Sequence, residues 1–390
     1  MISFEEAVRR VSEVARPIGL ERVPLASAAG RVLAAPVIAM IDSPPADSSA
    51  MDGYAVREAD LPGALRVIGE SFAGAAFDGT LERGTCVRIF TGAPVPAGAD
   101  RVVIQEVAVR DGNSVTIADL PGSARYIRLA GSDFRAGDTL LEAGRRLDPR
   151  ALVAAAGADA AKVETWRRPA VLVIATGDEL ASPGEARDRP GAIPESVSFG
   201  VMALAERWGG VGVGSLRLAD DLPAMERAAG ESLEQADLIV VTGGASVGEK
   251  DHAKAMLEPH GLDLIFSKVA IKPGKPVWLG RAGGKLVLGL PGNPTSAMVT
   301  ARLLLAPLVA GLAGRPARLE WRRVKLGEPL PACGERETFH RARLTKAGAV
   351  PLANQDSGAQ RALAEADLLL RSLPNDPPRQ PGEEIEALDF

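Results

Sequence analysis

Apolar positions recur along this chain in two rhythms, one helical and one of strand type, and the changes between them mark its organisation. Residues 3–16 carry Phe4, Ala7, Val8, Val11 and Val14 at helical spacing, with Glu and Arg between them. Ser3 can cap this helix, with Glu6 three residues on, and Pro17 and Gly19 end it. A second short helix is expected over 26–35. From 57 to 140 the rhythm is that of strands. The runs 65–69, 86–90, 102–105 and 115–117 are short, rich in β-branched residues and separated by Gly, Pro and Asp. They predict a small all-β domain. Asp148 followed by Pro149 then opens a helix through a run of alanines.

Residues 170–312 alternate the two rhythms. Strands are expected at 171–175, 211–218, 238–241 and 285–290. Helices are expected at 198–208, 222–236, from 253, and at 297–312. Such alternation predicts a doubly wound, mostly parallel sheet. From 318 to 390 the pattern returns to strands, at 324–326, 339–344, 349–352 and 367–371, with one helix over 360–366. The fold class is therefore α/β plus β, in several domains.

Composition narrows the function classes. The chain has 390 residues, 46% apolar and 24% charged, enough for sizeable cores. Its 45 basic and 50 acidic side chains leave a net charge of −5, which argues against bulk nucleic-acid binding. Cys86 and Cys333, and His252, His260 and His340, show no metal-ligand spacing, so neither a disulfide framework nor a zinc site is expected. The N-terminus lacks a basic stretch followed by an apolar one. The longest nearly apolar stretch, 303–314, is short for a bilayer and holds Pro307, so no membrane role is expected and the cytoplasm is the default location.

The candidate chemistry lies where strands end. Thr176-Gly-Asp-Glu179, Thr242-Gly-Gly-Ala-Ser-Val-Gly248 and Pro291-Gly-Asn-Pro294 each follow a strand of the α/β region. In such sheets ligands bind at the carboxyl ends of strands. Between the last two loops lies Ala270-Ile-Lys-Pro-Gly-Lys-Pro276, with Lys272 and Lys275 on a proline-fixed segment. Backbone N–H groups and ammonium groups suit a phosphate or another oxyanion. Carboxylates at Glu179, at Asp220 or Asp221, and at Asp251 suit Mg²⁺ bridging protein and phosphate. There is neither a Walker loop nor a GxGxxG fingerprint, so neither a kinase nor a dehydrogenase is inferred. Outside this region, Pro44 and Pro45 forbid helix before Asp52-Gly53, which reads as a turn into the strand 54–56. The loop 91–100 is stiffened by prolines, and Arg128 and Asp133 are exposed candidates. Asn354-Gln-Asp-Ser-Gly358 shows no chemistry by itself.

Taken together, Ser49-Ala-Met-Asp-Gly-Tyr-Ala-Val56, Thr91-Gly-Ala-Pro-Val-Pro-Ala-Gly-Ala-Asp100, Thr176-Gly-Asp-Glu-Leu180, Gly243-Gly-Ala-Ser-Val-Gly-Glu-Lys-Asp251, Ala270–Pro276 and Leu290-Pro-Gly-Asn-Pro294 resemble the molybdopterin molybdenumtransferase family, the MoeA proteins and the E-domain of gephyrin. The resemblance covers essentially the whole chain. It implies an elongated four-domain homodimer. An N-terminal dimerisation unit would span 1–44 and 135–167, an inserted β domain 45–134, a MogA/MoaB-like molybdopterin-binding α/β domain 168–315, and a C-terminal β-barrel 316–390. It implies Mg²⁺-dependent insertion of molybdate into adenylylated molybdopterin, with release of AMP. Catalytic roles would fall to Asp52, Glu179, Asp221, Asp251, Lys272 and Lys275, with Glu179, Asp221 and Asp251 at the metal. Thr91, Asp133, Thr176, Gly177, Gly243, Gly244, Ser246, Gly248, Pro291, Gly292 and Asn293 would contact the substrate. In the family the cleft lies between subunits, so Asp52, Thr91 and Asp133 would serve the partner chain's α/β domain.

The chain departs from the family pattern in three places. Ile193-Pro-Glu-Ser-Val197 stands where an Ile-Tyr-Asp-Ser/Thr-Asn segment is usual. Ala46-Asp-Ser-Ser49 stands where Phe-Asp-Asn-Ser is common, and Arg128-Leu-Ala-Gly-Ser-Asp133 replaces Arg-x-x-Gly-Glu-Asp. An amide that reads a ligand cannot become Val without losing hydrogen bonds. The alternative expectation is therefore a divergent, non-catalytic paralogue acting as a molybdopterin-binding or protein scaffold.

Overall fold

The computed structural model describes residues 1–119, 122–243 and 252–390. They divide into two compact units: 1–21 with 30–34 and 165–390, and 22–29 with 35–164.

The first unit opens with helix α1 (Phe4–Val14), whose N-terminus is closed as expected: Ser3 Oγ accepts from the Glu6 N–H at 3.1 Å. Its apolar stripe, Phe4, Ala7 and Val11, is buried. The centre of the unit is a six-stranded sheet of β1 (Ala170–Thr176), β2 (Val211–Leu218), β3 (Leu238–Thr242), β4 (Asp263–Ser267), β5 (Trp278–Ala282) and β6 (Lys285–Leu290). The order is β2-β1-β3-β6-β5-β4. The first four in that order are mutually parallel; β5 runs antiparallel to β6, and β4 antiparallel to β5. Side chains alternate across the pleat. Val171, Val173, Leu238 and Val240 therefore pack with α2 (Val197–Arg207), while Leu172, Ile174, Ile239 and Val241 pack with Met225, Ala229 and Leu233 of α3 (Leu222–Gln235). Helices on both faces make the sheet doubly wound, as the alternation implied.

The apolar helix that follows β6 is longer than the apolar stretch suggested. It runs from Pro294 to Leu312, long and apolar enough to cross a membrane by length and composition, and 94% of that window is buried inside the protein. It is a core helix. Between Ala301 and Leu305 it widens, and the Ala306 N–H bonds the Ala301 carbonyl five residues back. Pro307 has no N–H and its ring crowds the carbonyl four residues before it, so a widened turn relieves the helix there.

Two local expectations fail. Over 26–35 there is one 3₁₀ turn, Leu25–Ser27, then Gly30 at φ 76° and a β-bridge from Leu33 to Thr165. The helix from 253 is short, His252–Ala255, and gives way to a 3₁₀ turn at Glu258–His260 closed by Gly261 at φ 74°.

The end of the chain folds as a β-barrel. Glu337–Thr345, Leu368–Ser372, Glu384–Asp389 and Arg322–Lys325 are antiparallel neighbours in that order, Gly348–Pro351 pairs with Glu337–Thr345, and a bridge from Leu326 to Ala349 closes the circuit. The strand Glu384–Asp389 has no counterpart among the expected strands, because its acidic alternation is weakly apolar. Ile271–Lys272 extends the edge, parallel to Glu337–Thr338.

The second unit holds a six-stranded sheet in the order Arg101–Ile104, Gly53–Val56, Thr85–Ile89, Gly63–Ser71, Ser114–Ile117, Val109–Asp111. Tyr54, Leu65, Cys86, Val103 and Val115 form its core on one side. Helix Pro149–Gly157 is capped as expected, with Asp148 Oδ1 accepting from the Ala151 N–H at 2.9 Å.

Candidate functional site

A cavity of about 460 Å³ opens at the carboxyl ends of β1, β3 and β6 in the first unit. From β1 come Thr176, Glu179 and Leu180; from β3, Thr242 and Gly243; from β6, Pro291, Gly292 and Asn293. The strand ends are drawn tightly together. Thr176 Oγ1 donates to the Thr242 carbonyl at 3.4 Å. Gly243 sits at φ 92°, and a Cβ there would lie 2.4 Å from the Thr176 carbonyl oxygen. Only glycine fits such a position. A Cβ on Gly292 would lie 3.3 Å from the Gly243 Cα.

The β1 loop is braced from outside the cavity. Asp178 Oδ1 accepts from the Asp220 N–H at 3.0 Å, and Arg189 Nη2 donates to the Asp178 carbonyl at 3.0 Å. This leaves the Glu179 carboxylate turned back over Gly177, 2.7 Å from where a Cβ on that glycine would stand. Among the described residues no hydrogen-bond donor reaches that carboxylate.

The departing segment Ile193–Val197 forms the adjoining wall, with all of Pro194, Glu195, Ser196 and Val197 on the cavity. Ile193–Pro194 pairs in parallel with Leu180–Ala181. Glu195 is 9% exposed and its Oε1 accepts from the Ser198 N–H at 2.9 Å, so it closes the start of α2. Val197 is buried in the core with Val201. The altered residues are thus satisfied by a cap and by packing.

One wall carries residues that the sequence reading passed over. Gln360 lines the cavity, and its Nε2 donates to Ser196 Oγ at 3.3 Å. Asn293 Nδ2 donates to Ser357 Oγ at 3.0 Å, and the Thr295 N–H to the Ser357 carbonyl at 3.1 Å. The loop 354–358 is therefore stitched to the Pro-Gly-Asn-Pro turn. Arg341, fully buried, holds the loop from below through the Asn354 and Asp356 carbonyls at 3.3 and 3.2 Å. Gln355 clasps the Arg341 backbone on both sides, accepting from its N–H at 3.0 Å and donating to its carbonyl at 2.8 Å. A buried arginine followed by an Asn-Gln-Asp-Ser run was the available signal, and it carries no meaning until the barrel is folded.

The other expected residues are placed differently. Lys272 and Lys275 are exposed, and from their loop only Pro276 lines the cavity. Lys272 lies near buried His340, whose imidazole is pulled down to about 4 by burial first and then by the charges of Lys272 and Arg341. Asp221 is exposed and caps α3, with Oδ1 3.5 Å from the Ala224 N–H. Gly244, Ser246, Gly248 and Asp251 lie outside the described residues. Asp52, Thr91 and Asp133 belong to the second unit. There Asp52 Oδ1 accepts from both the Thr91 N–H and the Thr91 hydroxyl at 2.7 Å. These bonds, the backbone one foremost, hold its carboxyl below the usual range. Asp133 is exposed, on a hollow of about 680 Å³ with Ser43, Phe134 and Asp138.

Among the described residues no group of three or more His, Cys, Asp or Glu side chains is gathered as a metal site. The cavity nonetheless suits Mg²⁺ carried in with a phosphate. That ion keeps several waters and takes one or two protein carboxylates beside phosphate oxygens, and Glu179 is an unengaged carboxylate among the described residues.

A cavity at glycine-tight strand ends, with a turned-back carboxylate on its wall, marks a doubly wound α/β protein, the class in which ligands bind at strand termini. Family comparison makes this specific. Residues 2–158 match the MoeA N-terminal region (domain I and II), 172–311 a molybdopterin-binding domain described as probable, and 323–390 the MoeA C-terminal region (domain IV). A molybdopterin molybdenumtransferase of Haemophilus influenzae is 39% identical over 319 residues, 81% of this chain and 78% of its own length. Molybdopterin molybdenumtransferase 2 of Mycobacterium tuberculosis is 37% identical over 330 residues, 81% of each chain. The crystal structure of a molybdopterin biosynthesis MoeA protein from Pyrococcus horikoshii superposes with a TM-score of 0.84 at 25% identity, covering 100% of both chains. The chain belongs to the molybdopterin molybdenumtransferase family, which is the family its motifs resembled.

Proposed function

We propose that this chain inserts molybdate into adenylylated molybdopterin in an Mg²⁺-dependent reaction that releases AMP. The observation that carries the reading is the cavity at the ends of β1, β3 and β6, where Glu179 meets the glycine-tight turns at Gly243 and Gly292. Oxyanions need N–H and cationic partners, and a phosphoanhydride under cleavage needs its developing charge neutralised. Lys272 and Lys275 supply ammonium groups on the loop that ends at Pro276. Bound Mg²⁺ would supply charge neutralisation at the phosphates, held by Glu179 with Asp221 and Asp251. Thr176, Gly177, Gly243 and Pro291–Asn293 orient the anion and leave room for it. Asp52, Thr91 and Asp133 complete the site from a second copy of the chain, so the working form is a homodimer.

Purified protein mixed with adenylylated molybdopterin, Mg²⁺ and molybdate should release AMP only when molybdate is present. Ligand binding with no molybdate-dependent AMP would instead leave the scaffold reading.

A further inference from the structure

A second cavity, of about 330 Å³, adjoins the first. The two share Ser196, Val197, Pro294 and Gln360 on their walls. The remainder of the second is different in chemistry: Gly200, Met298, Leu363, Ala366 and Phe390, with no ionisable side chain. Its elements come from α2, from the long core helix and from the barrel domain, all in the first unit. Two of the shared residues are joined by the hydrogen bond from Gln360 Nε2 to Ser196 Oγ, at 3.3 Å near the long end of the range. Among the described residues the Gln360 side chain makes no other hydrogen bond, so its Oε1 and its second amide N–H remain for a ligand.

We propose that the two cavities form one composite site. In it the charged part of the ligand occupies the strand-end cavity and a heteroaromatic ring occupies the apolar one, with the Gln360 amide reading the ring's polar edge. This rests on the proposed function, which supplies a substrate carrying phosphates and two such rings, one of the pterin and one of the adenylate. The physical grounds are independent of the family. Ligand sites are mostly apolar with a few placed polar groups, and each cavity is within the size range of such sites. Met298 offers a polarisable sulfur and Phe390 a ring face, both favourable partners for a flat π-system. A planar amide beside them satisfies the ring's donors and acceptors, which an apolar wall alone would leave unpaired. Gln360 and Val197 are then the residues that set which ring is accepted.

The test is calorimetric titration of Ala366→Phe, which fills the apolar cavity and creates no void. The ligands are adenylylated molybdopterin, AMP, molybdopterin and inorganic pyrophosphate. Affinity for adenylylated molybdopterin should fall by at least ~10-fold, and affinity for pyrophosphate should stay as in the wild type. Of AMP and molybdopterin, the one that weakens in parallel identifies the ring. Gln360→Ala should raise KM for the adenylylated substrate and leave kcat nearly unchanged. Should Ala366→Phe fail to fold by circular dichroism, Leu363→Phe fills the same space from the neighbouring position. A folded, filled variant that binds every ring ligand as the wild type does overturns the proposal, as does an equal loss for pyrophosphate. A wild-type protein that binds none of the ring ligands would overturn the proposed function and this inference together.

Discussion

Two loop carboxylates, Asp52 and Glu179, each lie within two residues of a glycine, and the fold treats them in opposite ways. Asp52 in the second unit is locally engaged, taking the N–H and hydroxyl of Thr91 at 2.7 Å each. Glu179 in the first unit meets no donor among the described residues and lines a cavity instead. A carboxylate accepting two short bonds is fixed in position and in charge. One left without donors at a cavity wall keeps its lone pairs for a cation or a ligand. Sequence texture alone does not separate a carboxylate that braces a loop from one that awaits a partner. Hydrogen-bond accounting does.

The contrast makes graded predictions. The largest effect is expected for Glu179→Gln, which keeps shape and removes charge. Molybdate-dependent AMP release should fall on the order of 100-fold, with an unchanged circular dichroism spectrum; activity near wild type would remove Glu179 from the chemistry. Next is Gly243→Ala, where the new Cβ meets the Thr176 carbonyl oxygen in a backbone conformation reserved for glycine. Urea denaturation should show a loss of about 1–3 kcal/mol; a neutral result would mean that the strand ends are looser than the 2.4 Å approach implies. Glu195→Ala deletes the acceptor of the Ser198 N–H and should cost about 1 kcal/mol, the usual size of a lost helix cap. If its stability is unchanged, the departing segment owes nothing to that cap. The smallest effect belongs to Thr91→Val, which removes one of the two donors to Asp52. The Asp52 carboxyl should titrate higher by NMR, closer to the ordinary value. The sign follows from the depressed pKa of Asp52: its stabilising contribution is present above the unfolded-state pKa and is lost as pH falls through the folded one. In the variant that contribution should therefore be smaller, and its loss on acidification complete at a higher pH. An unmoved titration would assign the depression to the backbone N–H alone.

Much of this architecture can be read from the chain. The parity of Val171–Val173 against Leu172–Ile174, repeated at 238–241, specifies a strand buried on both faces and hence helices on both sides. The strand-end rule then points to the strand termini, where Thr176, Glu179, Gly243 and Pro291–Asn293 line one cavity. Capping residues mark their helices because the cap is a contact over three residues, as at Ser3 and Asp148. These features rest on local periodicity, or on backbone geometry that only a few residue types allow. The failed helix over 26–35 shows the limit: its spacing is helical, and Gly30 together with a bridge to Thr165 wins.

What tertiary structure alone decided concerns partners distant in sequence. Ser357 meets Asn293 across 64 positions and Gln360 meets Ser196 across 164, so a polar run without a motif becomes a wall of the site. The same holds for Lys272 and Lys275, whose chemistry suits an anion and whose exposure, with only Pro276 of their loop on the cavity, no spacing rule conveys. The sequence by itself determined the layers, the strand ends and the family. The folded barrel determined which loop closes the cavity, because that depends on where separate elements bring donors and acceptors within about 3 Å of each other.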